Sequence, residues 1–335
     1  MRTRDFVDRL AGFIRAASPP EAGNFGETVQ GALDALRSEP SAVRPPDHAG
    51  RPGGLLQLDR GIPTVVVPDI HGRRELLLRV LGYRVGQGVR TLGLLARGRI
   101  QILCLGDGMH AEGRAARRWR SALREFHDGW RRHESMDEEM TESLGVMGIV
   151  MEAKRAFPGH FHFLKGNHEN ITNEEGGGNY PFRKFALEGL MVVSWMRQFY
   201  GEELLASLAS FERELPLLAV GSGFLASHAE PRSVFPRERV IEGRGDAEVV
   251  AGLTWTDNGE SEPGTVEEML RHYLGAEGRF YFAGHRAVDS DAPRPGGPFV
   301  QLHDPARMTL AWLEAGGEID LEAAIRRLAG DADAG

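Results

Sequence analysis

A single cysteine, Cys104, stands in 335 residues, so neither an intramolecular disulfide framework nor a thiolate zinc cage is available. No stretch approaches the ~18 consecutive apolar residues of a membrane-spanning helix. The longest apolar runs, at 190–196 and 215–226, are short and interrupted. Residues 1–20 scatter Arg and Asp among their apolar positions, which leaves no unbroken core for an export signal. Positive charge is in deficit: 40 Lys and Arg face 48 Asp and Glu, for a net −8. That balance excludes a protein that grips nucleic acid by bulk positive charge. No internal repeat and no low-complexity block is present. The expectation is a cytoplasmic protein with no membrane and no nucleic-acid partner.

What is present is enough to fold. Apolar residues make up 41% of the chain and charged ones 26%, a balance that supports a sizeable core in one large or two ordinary domains. Residues 1–40 read as two amphipathic helices broken at Ser18-Pro19-Pro20, with Phe6, Leu10, Phe13 and Ile14 at helical spacing. Residues 39–54 are rich in Pro, Gly and Ala and read as a linker or an irregular wrap. A helical extension with its linker over 1–54 therefore precedes a main domain over 55–330. The tail after Gly330 is expected to fray.

From residue 62 a new pattern begins. Short apolar runs end abruptly in polar residues of ligand type. Thr64-Val65-Val66-Val67 leads into Pro68-Asp69-Ile70-His71-Gly72, and Ile100-Gln101-Ile102-Leu103-Cys104-Leu105 into Gly106-Asp107-Gly108. Phe161-His162-Phe163-Leu164 leads into Lys165-Gly166-Asn167-His168-Glu169. Gly223-Phe224-Leu225-Ala226 leads into Ser227-His228-Ala229, and Phe280-Tyr281-Phe282-Ala283 into Gly284-His285-Arg286. Runs without polar alternation suit strands covered on both faces. Helical patterns over 74–83, 115–132 and 138–157 lie between them. The class is α/β, and such sheets build their sites at the carboxyl ends of strands.

Five strand ends that each deliver Asp, Asn or His can converge on one point. Asp69, His71, Asp107, Asn167, His228 and His285 are oxygen and nitrogen donors suited to Mn, Fe or Zn. Asp69 and His71 are two apart, so on an extended segment both face one side. Asp107, between glycines at a strand end, is the natural carboxylate to bridge two divalent metal ions. Two such ions polarise a phosphoryl oxygen and acidify bound water, so the expected nucleophile is a metal-held hydroxide. Gly72, Gly106, Gly166 and Gly284 fall where the chain must turn sharply beside a crowded centre.

Taken in order, Asp-x-His-Gly, Gly-Asp, Gly-Asn-His-Glu, a strand-end His and Gly-His resemble the calcineurin-like metallophosphoesterase superfamily over about residues 62–315. Phe211-Glu212-Arg213-Glu214-Leu215-Pro216-Leu217 and Leu253-Thr254-Trp255-Thr256-Asp257 are similar to segments of its phosphoprotein phosphatase (serine/threonine phosphatase) branch. The resemblance implies a two-sheet sandwich flanked by helices, four layers in the order α/β/β/α, with the N-terminal helices added to it. It implies Asp69, His71 and Asp107 around a first ion, and Asp107, Asn167, His228 and His285 around a second. It makes His168 the group that protonates the leaving oxygen. The implied activity is hydrolysis of phosphate monoesters, with a phosphoprotein or small phosphoester as partner. Cleavage of a dinucleoside polyphosphate or cyclic nucleotide, and a metal-bound scaffold without turnover, are the alternatives.

The chain departs from the branch in places. Gly106-Asp107-Gly108-Met109-His110-Ala111-Glu112-Gly113-Arg114 stands where Gly-Asp-x-Val-Asp-Arg-Gly is usual. The carboxylate that orients the catalytic histidine is replaced by His110 or displaced to Glu112. Arg114, with Arg117 or Arg118 beside it, is the candidate for gripping phosphate, since arginine binds it bidentately. Glu169 reads as a residue that orients its neighbours. His160, His162 and His303 read as facing solvent or a helix, and Cys104 as buried in a strand. Trp119, Trp130 and Trp195 read as helix packing. The loop 173–180, with Gly176-Gly177-Gly178, reads as a mobile rim or a plain linker.

Overall fold

A computed structural model describes residues 3–85, 88–288 and 297–328; the expected fray after Gly330 lies outside them. The strands are β1 (Leu55–Gln57), β2 (Thr64–Val67), β3 (Arg84–Val85), β4 (Val89–Arg90), β5 (Gln101–Cys104), β6 (Phe161–Phe163), β7 (Leu218–Val220), β8 (Phe224–Ser227), β9 (Phe280–Ala283), β10 (Phe299–Gln301), β11 (Thr309–Leu313) and β12 (Ile325–Arg327). β3 and β4 form a small ribbon. The others form two five-stranded sheets, ordered β1-β7-β8-β9-β10 and β12-β11-β2-β5-β6. β2, β5 and β6 run parallel side by side, as do β8, β9 and β10.

Side-chain alternation explains the layering. In β2, Val65 and Val67 point to the helices outside the sheet while Val66 points inward; in β5, Ile102 and Cys104 point out and Leu103 in. The inward set (Leu56, Val66, Leu103, Ala226, Phe282 and Ala311 among them) is a dry seam between the two sheets. Leu55, Leu225 and Tyr281 face a third core on the opposite side. Three cores stacked this way define four layers, α/β/β/α. Removing one fully buried member of the central seam, as in Leu103→Ala, costs about 2–5 kcal/mol.

The outer helices differ in character. The helices are α1 (Thr3–Arg15), α2 (Ala22–Arg37), α3 (Arg74–Gly82), α4 (Thr91–Leu95), α5 (Ala116–His127), α6 (Glu134–Ala156), α7 (Glu188–Phe199), α8 (Gly201–Arg213), α9 (Arg237–Ile241), α10 (Ala247–Thr254), α11 (Thr265–Leu274) and α12 (Leu321–Ala324). α6 is buried along nearly its whole length, from Met136 to Lys154. Met136, Met140, Leu144, Met147 and Met151 recur at three- and four-residue intervals, and Val146, Ile149, Val150 and Ala153 fill the other side. A helix buried on so many sides must be covered by several neighbours, and α1, α2, α3 and α5 cover it, with its buried Glu139, Glu152 and Lys154 each paired. The N-terminal helices therefore bury Phe6, Phe25 and Val29 in the same core as α6. Segment 39–54 is tied together at both ends: Arg44 donates to Glu39 at 2.8 Å and to Gly53 O at 2.7 Å, all of it buried.

α10 begins on Asp246, whose carboxylate accepts from the backbone of Glu248 and Val249, the arrangement that satisfies the free N–H groups of a first turn. No helix among the described residues is long and apolar enough to cross a membrane.

Candidate metal centre

The carboxyl ends of β2, β5 and β6 from one sheet and of β8, β9 and β10 from the other open onto the same place. The loop after β2 brings Asp69 and His71. The loop after β5 brings Asp107, His110 and Glu112, and the loop after β6 brings Asn167, His168 and Glu169. The loops after β8, β9 and β10 bring His228, His285 and His303. All six expected donors meet here, Asp69, His71, Asp107, Asn167 and His228 buried and His285 nearly so.

Asp107 is at the middle. Its Oδ2 lies 3.6 Å from His71 Nε2 and 3.3 Å from His228 Nε2, and 3.7 Å from His168 Nε2. Asp69 lies 3.8 Å from His71 Nε2 through Oδ2 and 3.8 Å from His228 Nδ1 through Oδ1. Asn167 Oδ1 accepts from His228 Nε2 at 2.8 Å and from His285 Nδ1 at 3.1 Å.

The backbone departs from the extended conformation expected for Asp69-Ile70-His71. His71 is left-handed, with φ +46°, and the amides of Ile70 and His71 both donate to Asp107 O, at 3.1 and 2.7 Å. The imidazole reaches the centre through that turn rather than by alternation. Of the seven non-glycine residues with positive φ among the described residues, His71, Asp107, His110 and His285 are four. Such strain persists only where surrounding contacts over-determine it, and it gathers at functional sites.

Those contacts are visible. Glu169, fully buried, accepts from the amides of Asp107 (2.9 Å), Gly108 (2.9 Å) and Gly166 (2.7 Å), which staples the loop after β5 to the loop after β6. His168 N donates to Asp107 Oδ1 at 3.0 Å. His71 Nδ1 donates to His110 O at 3.0 Å, turning Nε2 toward the two aspartates. His228 Nδ1 donates to Leu105 O at 3.0 Å. At Gly284 a Cβ would collide with Asp69 Oδ1, so only glycine lets this backbone approach the carboxylate.

The electrostatics favour a cation. Burial pushes Asp107 toward the neutral form, but His168, His228 and His71 outweigh it and hold the carboxyl well below its usual range. Burial alone would depress His228, yet Asp107 and Asp69 carry it up to about 9. His285 is held down to about 3 by burial and by His228. Burial, aided by Asp107, raises Glu169 to about 7. Burial likewise keeps His168 well below the ordinary range and His110 down to about 3. Both carboxylate oxygens of Asp69 are buried without a hydrogen-bond partner, as is His285 Nε2. Buried polar atoms left bare are costly and rare, and a coordinated ion satisfies them. Asp69, His71 and His303, then His71, Asp107 and His168, then Asp69, Asp107 and His228 each offer donors close enough to share one ion. The donor set suits a divalent metal.

The open side is a cleft of about 240 Å³ lined by His71, Asp107, Asn167, His168 and His285 on the floor and by Phe182, Arg183, Lys184, Trp255 and Arg286 on the walls. Phe182 lies flat on His110, with ring centres 5.1 Å apart, and packs on His168 at 3.9 Å. Arg286 donates two bonds of 2.8 Å to Asp257, which locks it at the wall. The rim is thus residues 181–185, just past the loop 173–180.

Between the two candidates for orienting His168, the structure distinguishes clearly. His110 Nδ1 sits 2.9 Å from His168 Nδ1. Glu112 reaches Arg73 (2.9 Å) and His303 Nε2 (3.2 Å) instead of His168, with Oε1 3.7 Å from His71 Nε2 at the edge of the centre. Arg114 pairs with Glu142 at 2.6 Å and donates to His71 O at 3.2 Å. It lines a neighbouring groove of about 660 Å³ with Arg73, Arg74 and Glu142. Arg118 is bound up with Glu138, Glu139 and Glu142. His162 faces Lys154 and Glu39, away from the centre, and Cys104 is buried as expected. His303 corrects the reading from sequence: it faces neither solvent nor a helix but Asp69, His71 and Glu112. Gln301-Leu302-His303 lacks the glycine that directly precedes Asp107, Asn167 and His285, so that signal does not single it out.

No protein-family model and no curated protein matches the chain in sequence. Solved structures match it in three dimensions. A serine/threonine phosphatase from Saccharomyces cerevisiae with similarity to human phosphatase PP5 is 14% identical, covers 92% of this chain and 90% of its own, and superposes with a TM-score of 0.58. A cold-active protein tyrosine phosphatase is 13% identical over 88% of this chain and 84% of its own, with a TM-score of 0.46. A putative diadenosine tetraphosphatase is 15% identical over 82% of this chain and 97% of its own, with a TM-score of 0.40. At this identity the first likeness establishes the fold: the chain has the two-sheet sandwich of that serine/threonine phosphatase.

Proposed function

We propose that the protein is a metal-dependent phosphoric ester hydrolase acting on phosphate monoesters through two divalent ions, Mn, Fe or Zn. The observation that carries this is Asp107: one carboxylate with histidines on both sides, His71 at 3.6 Å and His228 at 3.3 Å, beside a second carboxylate, Asp69, with both oxygens bare. Asp69, His71 and Asp107 would hold the first ion, and Asp107, Asn167, His228 and His285 the second. Such a pair polarises a phosphoryl oxygen and acidifies water.

The chain's own groups do the rest. His168 faces the cleft floor through Nε2; burial disfavours its charged form in the free protein, and the negative charge of a bound phosphate would restore the proton it gives to the departing oxygen. Arg183 and Lys184 offer positive charge to the phosphoryl oxygens, the role arginine fills best by its paired donors, while the paired donors of Arg286 are taken by Asp257. Arg114 joins them only by giving up Glu142. Phe182 covers His168 and keeps water from that side. A cleft of about 240 Å³ admits a phosphoryl group and the start of its leaving group.

The test is a panel with Mn-, Fe- and Zn-loaded protein: a phosphopeptide, p-nitrophenyl phosphate, bis-p-nitrophenyl phosphate and diadenosine tetraphosphate. Faster turnover of the two monoesters supports the proposal. Preference for the diester or the tetraphosphate, or no turnover of any, defeats it.

A further inference from the structure

We propose that His303 is a fourth protein ligand of the first ion, and that Glu112 holds it in the ligating form. The inference rests on the metal reading of this site and adds a donor to it.

The geometry is specific. His303 is 1% exposed. Its Nδ1 is buried with no hydrogen-bond partner and lies 4.0 Å from Asp69 Oδ2, which has none either. At 4.0 Å the two atoms do not hydrogen-bond. Ligands roughly 2.0–2.2 Å from a shared ion stand apart by up to about that distance. His71 Nε2, 3.8 Å from the same Asp69 oxygen, completes the group.

The other nitrogen fixes the tautomer. His303 Nε2 is 3.2 Å from Glu112 Oε1, and a carboxylate can only accept. The ring proton therefore sits on Nε2, which leaves the Nδ1 lone pair bare and aimed at Asp69. Glu112 is itself held by Arg73 at 2.9 Å. A carboxylate behind the far nitrogen of a metal-bound histidine is the common supporting arrangement. The loop is rigid where it needs to be: Val288 N donates to His303 O at 2.9 Å, and Thr309 Oγ1 to Leu302 O at 3.0 Å. The competing role is a protonated His303 serving only as counter-charge between Asp69 and Glu112.

The test uses cobalt. Full-length protein labelled with 15N-histidine is loaded with Co²⁺ and observed by NMR, with Co²⁺ and Mn²⁺ binding followed by calorimetry. The expected result is a strongly paramagnetically shifted, exchangeable His303 Nε2–H resonance, absent in H303A, with one class of site at least 10-fold weaker in H303A. E112Q is expected to keep the shifted signal and lose roughly 10–100-fold in affinity at that same class. A wild-type protein that binds two ions but leaves the His303 resonance at its ion-free position overturns this inference alone. A wild-type protein that binds no ion overturns the metal reading as well. Because the NMR measurement is made on the unmutated chain, a variant that fails to fold does not weaken it.

Discussion

Replacing Glu169 by Ala should destabilise the protein more than any other single change in the site, although Glu169 faces no substrate. Among the described residues its carboxylate is the one acceptor for the buried amides of Asp107, Gly108 and Gly166. Each buried donor left bare costs about 1–3 kcal/mol. Three of them sum to about 3–9 kcal/mol, a large share of the roughly 5–15 kcal/mol that holds a domain folded. Gln in its place keeps the shape. Oε2 serves Asp107 and Gly166 together and Oε1 serves Gly108, so an amide oxygen can take the shared position and leave only Gly108 facing an NH2. Glu169→Gln therefore costs one such loss, about 1–3 kcal/mol. Thermal unfolding in a chelator, so that ion loss does not contribute, reads both. At about 2 °C per kcal/mol for a chain of this size, Ala should lower the midpoint by at least about 6 °C and Gln by clearly less. An Ala variant that melts within about 2 °C of wild type, or Gln melting below Ala, would refute the staple.

Other expectations follow from single contacts. His168→Ala should lower kcat by about 10²–10⁴-fold with metal content unchanged; loss of metal would show that His168 is a ligand. Arg183→Ala should raise KM for p-nitrophenyl phosphate roughly 10–100-fold, the worth of a hydrogen bond to a charged group, and an unchanged KM would remove Arg183 from the anion site. Asp246→Ala removes the cap of α10 and should cost about 0.5–2 kcal/mol near neutral pH. The bond from Arg239 holds the Asp246 carboxyl below its usual value, so this contribution is complete above about pH 4 and fades as pH falls through the lowered pKa. Urea midpoints for wild type and variant should converge from pH 6 to pH 3, and a constant gap would contradict the assignment.

The strand ends were legible because the chemistry is local there. A buried strand reads as an unbroken apolar run, and the Asp, Asn or His that interrupts it marks where it stops, with a glycine beside Asp107, Asn167 and His285; these three, Asp69 and His228 therefore announce themselves. The helices at the N-terminus were legible for the same reason, through Phe6 and Leu10 at helical spacing. His303 was not, because β10 is three residues long and only its lateral pairing with β9 carries the histidine to the centre. The choice between His110 and Glu112 was equally hidden. It depends on the left-handed φ of +62° at His110, which turns one side chain to His168 and leaves the other to Arg73. Arg114 had the right chemistry in the right loop, yet Glu142 on α6, a helix distant in sequence, holds it in the neighbouring groove.

The central claim is that Asp107 is shared between two ions. Anomalous diffraction from crystals of the protein grown with Mn²⁺ measures it directly. Two peaks flanking the Asp107 carboxylate, about 3.5–4 Å apart, one beside Asp69 and His71 and the other beside Asn167 and His228, are the expected result. A single peak, or peaks that do not touch Asp107, would contradict it.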